Sequence, residues 1–192
     1  MSEKELICEF MYNGCDITAY HGKVEVVSTD ESKLIDGRKT AIATTRTFSC
    51  TNFLVFCKDF AYLAHMLPSE TVGMNNNFES RLDELKRIIT HFNPDAINVL
   101  ISLGISTPHP NKKDFHNLEY LFQKLNVLKN LCESLNVELN LLPIMKSKYF
   151  LFDLEKYLLY VENPSKKVID VNKIENIEKL TKNTSIKSFW TG

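Results

Sequence analysis

The chain has 192 residues, 44% apolar and 24% charged, which suits one soluble globular domain and is short for two. A formal net charge of −1 with no basic stripe excludes an electrostatic argument for nucleic acid or an anionic membrane surface. Six glycines, with neither GxGxxG nor GxxxxGK[ST], give no Gly-rich phosphate loop. There is no apolar run of membrane-spanning length, and Met-Ser-Glu-Lys-Glu at the start is not a signal-peptide n-region. A cytoplasmic protein is expected, or one secreted without a cleavable signal peptide into a host cytosol. The five cysteines (Cys8, Cys15, Cys50, Cys57, Cys132) are odd in number and scattered, so they read as reduced thiols. The spacing of Cys8, Cys15 and His21 matches no zinc knuckle or ribbon, and no metal or cofactor is expected.

In chain order, Ile17–Tyr20 and Lys23–Ser28 are short strand candidates, punctuated by Asn13-Gly14, His21-Gly22 and Asp36-Gly37. Arg38–Thr45 is a further strand, around Ala41-Ile42-Ala43. Cys50–Cys57 and Phe60–Leu67 are both rich in aromatic, β-branched and apolar residues, and Lys58-Asp59 between them is a two-residue turn. If Cys57 faces Phe60, cross-strand partners are residues whose numbers sum to 117. Pro68 closes this hairpin, and Ser69–Asn77 is a polar loop.

Phe78, Leu82, Leu85, Ile89 and Phe92 recur at helical spacing, which predicts an amphipathic helix over Phe78–Phe92, ended by Asn93-Pro94-Asp95. Ala96–Ile101 reads as a buried strand. A loop with Pro108 and Pro110 follows, in which His109 and His116 read as solvated. A second helix runs from about Asp114 to Leu135, with Leu118, Leu121, Leu125, Leu128, Cys132 and Leu135 as its stripe. Val137–Ile144, Ser147–Phe152 and Lys156–Val161 are strands, the last two a hairpin around Asp153-Leu154-Glu155, whose acidic residues serve the turn. A polar tail reaches Trp190. This order predicts an α/β (α+β) fold: a single domain over residues 1–192, with a mixed β-sheet or layered β-sandwich core and two long packed helices.

One constellation carries chemistry. Under the 117 register His65 sits opposite Asn52, on the face that carries Cys50 and one diagonal step from it, a separation of roughly 7–8 Å at Cα that an imidazole spans. A slip of one residue would put the two on opposite faces. A thiol with an ordinary pKa near 8.5 is mostly protonated at neutral pH, and a neighbouring imidazolium stabilises the thiolate, which is the nucleophile, and later protonates the leaving group. The hydroxyl of Thr44, six residues before Cys50, is placed to accept the second ring N–H of His65 and fix its tautomer.

Thr44-x5-Cys50, Ser49-Cys50 itself, and Ala64-His65-Met66-Leu67-Pro68 resemble the chemoreceptor glutamine deamidase CheD family. That family has a Thr, a Cys in a Gly-Ser-Cys context, and a His before Leu-Pro as its catalytic triad. The same Cys/His hairpin is shared by the catalytic domains of cytotoxic necrotising factor and Burkholderia lethal factor. The resemblance covers residues 38–161 by element order, including an Arg81-containing helix, and its specific residues lie within 44–68. It implies a protein-glutamine deamidase with Cys50, His65 and Thr44 as catalytic triad, a protein partner bearing the target glutamine, and no cofactor. Phe48 replaces the family's glycine, Ser102-Leu103-Gly104 its Gly-Gly-Ala, and the later Gly-Gly…Gly-Arg segment is absent. These departures point to a toxin-like or effector-like member. A transglutaminase-type cysteine hydrolase and a non-catalytic protein-binding domain on the same fold are the alternatives.

Overall fold

The computed structural model describes residues 23–37, 40–44, 47, 50–67, 77–103, 125–142, 144–147, 149–163, 165–174 and 178–179. The expected strand Ile17–Tyr20, Cys8, Cys15, His21, His109, His116 and the first part of the second helix, with Leu118 and Leu121, lie outside them.

Strands β1 (Lys23–Val27), β2 (Ser32–Ile35), β3 (Thr40–Thr44), β4 (Thr51–Phe56) and β5 (Ala61–Met66) precede helix α1 (Asn77–Phe92). Then come β6 (Ala96–Leu103), the helical residues 125–134 (α2), β7 (Glu138–Leu141), β8 (Met145–Lys146), β9 (Tyr149–Asp153), β10 (Leu158–Asn163), β11 (Ser165–Asp170) and β12 (Glu178–Lys179). They form two mixed sheets. One has the order β1-β3-β9-β10-β11, and the other the order β12-β7-β6-β4-β5-β2, with β8 also pairing β6. Of the two cores the sequence leaves open, the layered sandwich is the one formed, in an α+β arrangement.

The layers follow from side-chain alternation. Phe53, Val55, Tyr62, Ala64 and Met66 point to one side of the larger sheet, where they meet Leu82, Leu85, Ile88 and Ile89 of α1 and Leu125, Leu128 and Cys132 of α2. Leu54, Phe56, Ala61, Leu63 and Leu100 point to the other side, where they meet Val27, Ile42, Phe152, Leu159 and Val161 of the smaller sheet. The larger sheet is therefore the central layer, buried on both faces. That is why β4 reads Thr-Asn-Phe-Leu-Val-Phe with no polar alternation.

The hairpin register is as the turn dictates. Thr51 pairs Met66, Asn52 pairs His65, and so on to Phe56 with Ala61, each pair summing to 117. Cys57 N–H donates to the Phe60 carbonyl at 3.0 Å, closing the Lys58-Asp59 turn. The α1 positions Leu82, Leu85 and Ile89 are buried as the periodicity requires, and Ile88 joins them.

Downstream, the expected Val137–Ile144 strand is shortened to β7, and the two-residue β8 follows beyond its expected end. The β9–β10 hairpin is shifted by about two residues: Asp153 pairs Leu158, and the turn spans Leu154 to Tyr157, where Tyr157 has φ 55°. Asp153 is a turn residue, since its Oδ1 accepts the backbone N–H groups of Glu155 and Lys156 at 3.1 Å each. Strands β2 and β11 add to the elements expected from sequence, and β11 occupies part of what reads as a polar tail.

Candidate active site

The hairpin places His65 by its backbone as well as by its register. His65 N–H donates to the Glu31 carbonyl at 3.0 Å, and the Asp30 N–H donates to the His65 carbonyl at 2.8 Å. Asp30 reaches this position with a φ of 66°, a left-handed turn conformation that Asp tolerates better than most residues. Because the main-chain groups of His65 are engaged by the β1–β2 turn, Asn52 and His65 form a non-hydrogen-bonded pair of the β4–β5 ladder. In such pairs the Cα atoms approach to about 4.5 Å and the side chains are closest.

His65 is fully buried, on the side of the sheet that faces the smaller sheet. The backbone of Val27 hydrogen-bonds its imidazole and favours the charged ring. Burial outweighs that bond and holds the imidazole below its ordinary value of 6.5, and the positive charge of Arg81 acts in the same direction. His65 is thus held neutral, as a base rather than as a preformed cation. Arg81 lies on α1 with Nη2 3.2 Å from Asp30 Oδ1, which ties the helix to the turn that holds the His65 backbone. Glu84, one helical turn further, accepts from Tyr62 Oη at 2.7 Å and Ser32 Oγ at 3.1 Å.

Thr44 closes β3 in the smaller sheet, is fully buried, and shares the inward face of that strand with Ile42. Its register partner is Val27, whose backbone bonds the His65 ring. Cys50 immediately precedes β4, and the alternation of that strand carries it to the side of Asn52 and Leu54. It is a free thiol and, at 9% exposure, the least buried of the set. Thr44 and His65 thus share Val27 as a neighbour, and Cys50 stands at the end of β4 where Asn52 pairs His65.

Four polar residues at the same end stand outside that trio. Asn52 pairs His65 on one side and Ser102 on the other, so Ser102, Asn52 and His65 form a row across β6, β4 and β5. Asn52 Nδ2 donates to Thr47 Oγ1 at 2.9 Å, and Ser102 Oγ is hydrogen-bonded to Ser147 Oγ. Asn52, Thr47, Ser102 and Ser147 are all fully buried. The signal for Asn52 and Ser102 was present in the sequence as polar residues within mostly apolar strands, beside Thr51 in β4 and Asn98 in β6. Grouping them requires the β4–β6 register, which no short-range turn specifies.

The other two described cysteines are packing residues. Cys57 and Cys132 are free and buried, and burial raises both thiols, that of Cys132 to about 12. Among the described residues no cluster of three or more His, Cys, Asp or Glu side chains is arranged to hold a metal ion. No described helix is long and apolar enough to cross a membrane.

A three-layered α+β protein with a buried polar end beside one marginal thiol is what fold and site define. No family model and no curated protein sequence matches the chain. Among solved structures it is similar to a Bacillus licheniformis hypothetical protein, YfiH, at 13% identity and a TM-score of 0.37, over 73% of this chain and 67% of that one. A likeness at that level carries no inference about chemistry.

Proposed function

We propose that the chain is a cysteine hydrolase that deamidates a glutamine side chain of a protein substrate. The observation that carries this reading is the register: His65 opposite Asn52, with Cys50 two residues before Asn52 and 9% exposed. The resemblance of the Thr44, Cys50 and His65 segments to the CheD and cytotoxic necrotising factor deamidases supplies the substrate class.

In this mechanism neutral His65 takes the Cys50 proton as sulfur attacks the carboxamide carbon. The oxyanion is met by backbone N–H groups, that of Cys50 among them. His65, now protonated, delivers its proton to the departing nitrogen, and ammonia leaves as the C–N bond breaks. Water then attacks the thioester, giving its proton to His65, and the C–S bond breaks to release glutamate and the thiol. The Val27 backbone and the neighbouring Thr44 hold the imidazole through these steps.

A second reading is a non-catalytic protein-binding domain on this fold. It is favoured by the complete burial of His65 and Thr44, which packed core residues also show. The discriminating experiment compares proteomes exposed to wild-type protein and to Cys50→Ala, by mass spectrometry for Gln→Glu conversion. The deamidase reading expects sites converted by wild type alone. Identical proteomes, with the protein folded and bound to a partner, would favour the binding domain.

A further inference from the structure

Asn52 carries a buried acceptor with nothing to accept. Its Nδ2 donates to Thr47 Oγ1 at 2.9 Å, and its Oδ1 is buried without a hydrogen-bond partner. An orphaned carbonyl of this kind in an interior marks a place where something binds. The non-hydrogen-bonded pairing directs it beside His65, and strand alternation puts it on the Cys50 face, one step further in than the thiol.

From this we infer that Asn52 Oδ1 is the acceptor for the nitrogen of a primary carboxamide. The inference rests on the Cys50–His65 reading and names the group that site takes. With sulfur bonded to the carboxamide carbon, the nitrogen lies toward His65, which protonates it, and one N–H points to Asn52 Oδ1. After ammonia departs, the same acceptor receives an O–H of the attacking water, which occupies the vacated position. A carboxylate offers this oxygen no hydrogen, so the glutamate product is repelled and released. The row is closed: Asn52, His65 and Ser102 are fully buried.

The test uses two nearly isosteric alkylating agents, iodoacetamide and iodoacetate, on the full chain. Rates at Cys50 are read by peptide mass spectrometry and divided by those of free cysteine. Charged groups of the surroundings, Arg81, Asp30 and Glu31, are the same in wild type and Asn52→Leu and cancel between those two proteins. Wild type should prefer iodoacetamide by about tenfold more than free cysteine does, the worth of one hydrogen bond. Asn52→Leu, which adds no charge, should lose that preference. A wild-type preference equal to that of free cysteine overturns the inference without needing any variant to fold. So does a preference that survives in Asn52→Leu. Failure of the underlying reading looks different: Cys50 shows the preference but reacts no faster than free cysteine and ignores His65→Gln. A Cys50 inert to both reagents overturns both, because the acceptor opens through the thiol.

Discussion

The two faces of the β4–β5 hairpin differ in a way that separates scaffold from site. On the helix side Phe53, Val55, Tyr62, Ala64 and Met66 pack against α1 and α2 along its whole length. The hydroxyls on this face are those of Thr51, at the end of β4, and of Tyr62, which reaches Glu84 at the margin. On the other side the apolar rows end after Leu54 and Leu63, and the next row is Ser102, Asn52 and His65. Burying such groups costs free energy unless each is hydrogen-bonded, so packing alone would have placed Leu or Val there. The helix side answers the fold, whereas the polar end answers something else.

That contrast can be broken first at the thiol. Cys50→Ser should lower Gln→Glu conversion by orders of magnitude while leaving the thermal midpoint near wild type, because serine is nearly isosteric but far less ionised. Leu85→Ala on the helix side should do the reverse. It should cost about 2–5 kcal/mol in denaturant unfolding through cavity formation, with turnover per folded molecule retained. If Cys50→Ser unfolds the protein, the two faces do the same job and the distinction is lost.

A smaller effect concerns pH. Since burial holds His65 below its unfolded value of 6.5, the unfolded chain binds the proton more readily. The stability this residue permits is fully present above pH 6.5 and is lost as pH falls through the folded value. Urea midpoints measured from pH 7.5 downward should fall in wild type and fall less in His65→Gln. Equal slopes in the two proteins would contradict a neutral buried imidazole.

How much of this was legible depended on range. The 117 register could be read because Lys58-Asp59 fixes it within two residues, and with it the pairing of Asn52 with His65. The stripes of α1 and α2 were equally local. The second sheet was not legible. β1 and β3 pair in parallel, with β2 between them assigned to the other sheet, a crossover that no local pattern encodes. Strands β2 and β11 are edge strands with charged residues, and Leu34 and Val168 are exposed on them, so their composition reads as loop or tail. The Val27 backbone contact to His65 depends on that crossover and has no side-chain signature.

Smaller still is the effect of the helix on the base. Arg81 holds Asp30 at 3.2 Å and its charge disfavours the imidazolium. Arg81→Gln should move the His65 titration, followed by NMR of the ring protons, upward. An unchanged titration would show that α1 acts on the site through packing alone.

The central claim is that Cys50 and His65 form a working nucleophile and base. Its most direct test is the rate of Cys50 alkylation by iodoacetamide between pH 5 and 9, in wild type and in His65→Gln. Wild-type Cys50 should react well below the pH at which a free thiol does, and the His65→Gln profile should return to that of free cysteine. The buried thiols of Cys57 and Cys132 should stay unlabelled throughout. A Cys50 profile that matches free cysteine in wild type and is untouched by His65→Gln would contradict the claim.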